Sequence, residues 1–250
     1  MAASPARRKK MESSNKDWRY SFGMLDQFGP SLYVADGPMV SFFGFPYPTR
    51  MAVARLSDGN VWVWSPIVLT PKLVDEVHRI GPVRYIVSPN KLHHLFLQEW
   101  AEHWPAARIY APPGLARKKA ALHFYAELDD QPSPSWEGDI DQVVFRGSFA
   151  MAEVAFFHRD SRTAIIGDLI QRFSEANISG WKGMVMRLGG LVGERGSTPW
   201  DWRASFLRRG PARAALQKVL KWRPERLLIA HGQCAQSGAT EIIRAALNWI

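Results

Sequence analysis

Short runs of β-branched and aromatic residues fill the first quarter of the chain, over 31–35, 40–44, 51–56 and 61–65, and each run predicts a strand. Between the last two, Ser57-Asp58-Gly59-Asn60 brings together turn formers, two of which tolerate positive φ, so a hairpin is expected. Pro71 then opens a helical period over 72–80, with Leu73, Val74, Val77 and Ile80 on one face and Gly81 as the stop. From there strands over 84–87, 108–111, 153–158, 163–168 and 227–230 alternate with helices over 94–103, 115–122, 212–222 and 240–249. A β-first, then mixed order predicts an α/β fold of two packed sheets flanked by helices, not a simple doubly wound sheet.

Three of the expected strands end on polar chemistry. The run Val-Arg-Tyr-Ile-Val-Ser-Pro-Asn-Lys-Leu-His-His carries His93 and His94; Ala-Ile-Ile-Gly-Asp ends at Asp168; and Leu-Leu-Ile-Ala-His-Gly presents His231. The carboxyl ends of neighbouring strands face a common rim, so these distant motifs are expected to meet in one pocket. Three imidazoles and a carboxylate suit one borderline divalent ion, zinc first, with iron or manganese as alternatives. Taken singly, each has an ordinary role: the histidine pair as a helix cap or surface feature, Asp168 as a turn residue, His231 as a strand-end histidine. Only their joint placement points to metal. His158 is excluded: pairing of 153–158 with 163–168 puts it at the far end of that hairpin, about 15 Å from Asp168 at roughly 3.3 Å per residue. His103 is too far along its helix, and His78 and His123 fall on helix surfaces.

Arg-Leu-Ser-Asp-Gly, Ser-Pro-Asn-Lys-Leu-His-His and the strand pair ending in Gly-Asp-Leu give the chain, from about Ser31 to Trp249, a resemblance to the metallo-β-lactamase-like superfamily, and within it to an uncharacterised domain-of-unknown-function branch. The resemblance implies a four-layer αβ/βα sandwich with a metal site at one edge. The superfamily's first motif is His-x-His-x-Asp-His. With His94 on its last histidine, His93 takes the aspartate slot, Lys91 the second histidine slot and Pro89 the first, while the third-motif histidine falls on an apolar residue near Phe149. The first metal's ligands are therefore missing. What remains matches the second metal's set: His94, Asp168 and His231, with His93 as an added ligand. If one of the adjacent pair faces inward, three ligands leave an open, catalytic position; if both do, a closed structural site is expected. Asp168 would also orient a reacting water, and the Lys91 ammonium would supply charge in place of the lost metal.

The chain's 250 residues, 46% of them hydrophobic, suffice for one domain over 17–250. No apolar run reaches the roughly eighteen residues of a membrane span, so a soluble protein is expected. Residues 1–16 carry Arg7, Arg8, Lys9, Lys10 and Lys16 against Glu12 alone, with no apolar signal core, and read as a disordered basic tail. The single cysteine, Cys234, excludes an internal disulfide and a cysteine-rich zinc site and fits a reducing, cytoplasmic compartment.

The net charge of +9 includes a second cluster over 172–226, with twelve basic residues against four acidic. Trp181, Trp200 and Trp202 make no recognisable stacking motif there, which weighs against nucleic acid. Arg187 to Arg209 would instead favour an anionic small-molecule substrate. The glycine-rich stretch 184–197 matches no phosphate loop, and its apolar residues are expected to pack on the domain or between copies of the chain. Two functions from different classes follow: a metal-dependent hydrolase-like protein with a single ion, and a non-catalytic binding or scaffold protein on a degenerate metallo-hydrolase fold. Redox chemistry at iron is a third.

Overall fold

The structure is a computed structural model that describes residues 23–42, 45–175 and 180–250; the basic segment 1–16 lies outside these residues. The chain runs β1 (Asp26–Gly29), β2 (Leu32–Phe42), β3 (Phe45–Arg55), β4 (Val61–Trp64), α1 (Pro71–Ile80), β5 (Val83–Val87), α2 (Leu97–His103), β6 (Arg108–Ala111), α3 (Leu115–Lys118), β7 (Ala126–Glu127) and β8 (Ile140–Phe145). It continues through β9 (Glu153–His158), β10 (Thr163–Ile166), α4 (Gly180–Leu188), α5 (Trp200–Ala204), α6 (Arg209–Lys221), β11 (Arg226–Ile229) and α7 (Ala239–Ala246). One sheet has the order β1-β2-β3-β4-β5-β6-β7, antiparallel as far as β4 and parallel from β4 to β7; the other has the order β11-β10-β9-β8.

Strand alternation builds the layers. In β4, Trp62 and Trp64 are fully buried in a core shared with Phe156, Ile165 and Ile229 of the second sheet, while Val61 and Val63 face Leu73 and Val77 of α1 and Trp100 of α2. Helices α6 and α7 give Leu216, Val219 and Ile243 to the shared core, and α1 to α3 cover the other face of the first sheet. The order is helices, sheet, sheet, helices. Among the described residues no helix is long and apolar enough to cross a membrane.

The hairpin at 57–60 forms as β3–β4, and α1 begins at Pro71 with the Thr70 hydroxyl capping the Leu73 N–H at 3.1 Å. The strands expected over 31–35 and 40–44 belong to β2, whose pairing shifts between Asp36 and Met39, where Gly37-Pro38 interrupts the β-rich run. Residues 43 and 44 lie outside the description. Helix α2 starts at Leu97, not 94, because 91–96 form a turn. The glycine-rich stretch 184–197 begins within α4, on which Met184 and Leu188 are exposed rather than packed on the domain; Leu191 beyond it is buried.

Candidate metal centre

Parallel pairing of β10 with β11 sets Ile166 beside Ile229. Asp168 and His231 each follow two residues later, so they leave the sheet at the same level. His93 arrives from the first sheet, on the turn after β5. His231 Nε2 lies 2.8 Å from Asp168 Oδ1, and His93 Nε2 lies 3.2 Å from Asp168 Oδ2. One ligand atom from each of the three residues falls within 4.8 Å of the others. All three side chains are at most 9% exposed.

Each member is held by further contacts. Ser88 Oγ donates to the carbonyls of Asn90 (2.8 Å) and His93 (2.9 Å), folding the turn back on itself. Asn90 Nδ2 lies within bonding distance of both Asp168 Oδ2 (2.8 Å) and Glu153 Oε2 (2.7 Å). Glu153, fully buried at the start of β9, accepts the backbone N–H groups of Gly167 (3.1 Å), Asp168 (2.7 Å) and Leu169 (3.1 Å). Residue 167 must be glycine for this approach, since a Cβ there would stand 2.8 Å from Glu153 Oε2. On the opposite side, Arg50 pairs with Asp36 at 2.7 Å and donates to the carbonyls of Ile229 and Gly232, each at 2.8 Å, securing the loop that carries His231. The Tyr47 ring meets that of His231 at 5.0 Å, and the Trp64 ring lies 5.8 Å from that of His93.

The donor set fits a cation. His231 Nδ1 lies 2.8 Å from the Pro48 carbonyl, which only accepts, so Nδ1 carries the hydrogen. In the neutral imidazole the Nε2 lone pair then faces a carboxylate oxygen at 2.8 Å. Two acceptors do not tolerate that distance without a proton or a metal ion between them. His93 Nδ1 pairs with Ser65 Oγ at 2.6 Å, so it too has a partner that fixes its ring and leaves Nε2 turned to Asp168. Imidazoles held from behind in this way are the usual supports of metal-ligating histidines.

Burial opposes ionisation of Asp168, but attraction to His93 and His231, with their hydrogen bonds, outweighs it and holds the carboxyl well below its usual range. Glu153 moves the other way: burial, then the Asp168 charge, push it up to about 8 against the pull of its N–H donors. Tyr47 is raised to about 12 by burial and by the charges of Asp168 and Asp201, so its hydroxyl stays protonated at neutral pH.

The structure separates the two members of the histidine pair. His93 joins Asp168 and His231, whereas His94 is outside the group. On a turn where His94 N–H bonds to the Leu92 carbonyl, the two neighbours diverge; His94 is half-buried in the field of Lys118 and Lys119, and burial followed by those charges lowers it to about 4. Lys91 and Phe149 line one neighbouring cavity, with Phe149 exposed. His158 pairs opposite Thr163, away from Asp168, and is tied to Ser161 at 2.7 Å. Of the arginines expected to attract an anion, Arg203 and Arg209 instead donate to the carbonyls of Gly189 and Trp249. Sequence reasoning missed Ser65, Asn90, Glu153, Arg50 and Tyr47. The one available signal was a glutamate opening an otherwise apolar strand, Glu-Val-Ala-Phe-Phe.

The family described as a domain of unknown function (DUF4336) matches residues 40–179, more than half of the chain. The chain belongs to the DUF4336 family. No curated protein matches it. Among solved structures, this DUF4336 chain is similar to DIM-1 metallo-β-lactamase exposed to ceftazidime, with a TM-score of 0.59, 14% identity and 90% of this chain and 95% of that one covered. It is similar to a metallo-β-lactamase from Hirschia baltica, at TM-score 0.59 and 12% identity, covering 90% and 96% of the two chains. It is also similar to FIM-1 from Pseudomonas aeruginosa in a mono-zinc form, at TM-score 0.59 and 11% identity, covering 90% and 95%. The DUF4336 chain thus has a metallo-β-lactamase-like fold. That likeness concerns the fold; chemistry must be argued from the site.

Proposed function

We propose that this protein is a metal-dependent, hydrolase-like protein that holds a single divalent ion, zinc before iron or manganese, through His93, Asp168 and His231. The observation that carries this reading is the geometry at His231: with Nδ1 committed to the Pro48 carbonyl, the neutral ring sets its Nε2 lone pair against the Asp168 carboxylate at 2.8 Å, a pairing that a metal ion between them would satisfy. Two imidazoles and one carboxylate are a donor set that zinc accepts, and three protein ligands are the number found at catalytic zinc sites. When bound, such an ion supplies a fixed positive charge that polarises a carbonyl or phosphoryl oxygen and acidifies water.

The chain's own residues do the rest. Glu153 and Asn90 hold Asp168 in place, so its carboxylate is free of reorganisation when it orients a reacting water. Tyr47, protonated at neutral pH, keeps His231 seated by ring contact. Lys91, one residue from Asn90, is assigned to supplement the positive charge on the substrate side.

A second reading has its own observation. With His231 protonated and His93 donating from Nε2, both imidazoles satisfy Asp168 without an ion, which is the state a non-catalytic binding protein would retain. Elemental analysis of protein purified without added chelator, with His93→Ala and Asp168→Asn alongside, separates the two. About one equivalent of metal, lost in both variants, supports the first; a parent protein that takes up no zinc, iron or manganese overturns it.

A further inference from the structure

We propose that the cavity bordered by Lys91, Gly114 and Arg117 binds an oxyanionic group, phosphoryl or carboxylate, of the molecule presented to His93, Asp168 and His231. In treating that molecule as a substrate, the inference rests on the function proposed above. The cavity measures about 550 Å³, and its lining also includes Pro113, Glu127 and Phe149. That is room for a small organic molecule and not only for an ion.

The cavity adjoins the candidate centre through the chain itself. Lys91 and Ala152 line it, and their immediate neighbours Asn90 and Glu153 bridge to one another and both bond to Asp168. One Cα step, about 3.8 Å, therefore separates cavity wall from the supports of the centre.

Its charge is only partly compensated. Among the described residues neither Lys91 nor Arg117 forms an ion pair, and the one acid in the lining, Glu127, accepts the Gly114 N–H at 2.9 Å. Gly114 has no side chain to part the two cations: a Cβ there would stand 3.2 Å from Lys91 Nζ and 3.8 Å from Arg117 Nη2. Two cationic heads gathered about one backbone position repel each other, and an oxyanion between them turns that repulsion into attraction. A guanidinium fork with an adjacent ammonium is a pairing suited to phosphoryl and carboxylate oxygens. Farther along, the guanidinium groups of Arg203 and Arg209 are engaged with backbone carbonyls. The anion site belongs at Lys91 and Arg117.

Calorimetric titration of the chelator-treated full chain with inorganic phosphate, and separately with acetate, tests this without metal. Saturable binding of at least one anion is expected, weakened about tenfold in Arg117→Ala and in Arg117→Gln, the loss of one charged hydrogen bond, with the unfolding temperature unchanged. The preferred anion identifies the group. Failure of both to bind, or equal affinity in the parent and both variants, overturns the proposal. A protein that binds the anion through Arg117 but takes up no metal sinks the proposed function and leaves this site standing. Metal uptake with anion affinity indifferent to Arg117 does the reverse.

Discussion

Glu153 and Asp168 are two buried carboxylates joined through the backbone: the N–H of Asp168 donates to Glu153 Oε2 at 2.7 Å, while Asn90 Nδ2 contacts both side chains. The aspartate side chain is thereby set from behind by a second acid, fully buried at the start of the neighbouring strand.

Replacing Glu153 by glutamine tests that arrangement. All four partners of the carboxyl are N–H groups, so above about pH 8, where Glu153 is ionised, an amide NH2 sets donor against donor and strands at least one buried group. The cost is about 1–3 kcal/mol per stranded group. For a chain of this size that lowers the unfolding midpoint by about 2–4 °C per kcal/mol. Because Asp168 loses its fixed position, metal affinity should fall by about tenfold to a hundredfold. Thermal unfolding and competition against a chelator measure the two effects, and a variant equal to the parent in both would show that Glu153 is a bystander.

His93 and His94 give a sharper contrast. His93→Ala should abolish stoichiometric metal, because it removes one of the three donors that His93, Asp168 and His231 bring together among the described residues; His94→Ala should retain it. Elemental analysis of the two proteins side by side decides this, and the opposite ranking would return the ligand role to His94.

The two histidines also show how far the sequence could be read. Strand ends at Asp168 and His231 were legible because an apolar run followed by a polar residue marks where a buried strand meets the rim, and parallel pairing of β10 with β11 carries both to the same level. Which of two adjacent turn residues points inward was not, since a turn obeys no period of two or of 3.6. The superfamily motif supplied an order of slots but no direction for a degenerate turn. Asn90 and Glu153 escaped notice for a different reason: 63 residues separate them, and each reads locally as turn or strand start. Among the fold elements, β8 was missed because Asp141-Gln142 interrupts its apolar run; Gln142 is buried all the same, paid for by bonds to the Asp129 carbonyl and the Trp136 indole. The N-terminal half of β3 was hidden by Pro46 and Pro48.

His94 gives the protein a predictable acid sensitivity. Its pKa falls from 6.5 to about 4 through burial and then the charges of Lys119 and Lys118. Between those two values the unfolded chain binds a proton that the folded chain refuses, so stability rises with pH across the window and is level above it. Acidification from pH 6.5 toward 4 should therefore destabilise the parent more steeply than His94→Gln. Urea unfolding of the two metal-free proteins at several pH values gives the slopes; parallel slopes would mean that the imidazole titrates alike in both states.

The loop presenting His231 depends on Gly232, whose φ is +102° and whose Cα faces the Arg172 carbonyl so closely that a Cβ would overlap it. Gly238, at φ +70°, has nothing within 4 Å of the same position. Alanine at either site meets the strain of a left-handed conformation, about 1–3 kcal/mol. Only at 232 must the backbone also retreat, drawing the neighbouring His231 away from Asp168 and disturbing the bond from Arg50 to the Gly232 carbonyl. Gly238→Ala should lower the unfolding temperature by a few degrees and keep the metal, whereas Gly232→Ala should lose more stability and most of its metal. Calorimetric unfolding with metal analysis distinguishes them, and equal behaviour of the two variants would show that the loop tolerates the displacement without moving His231.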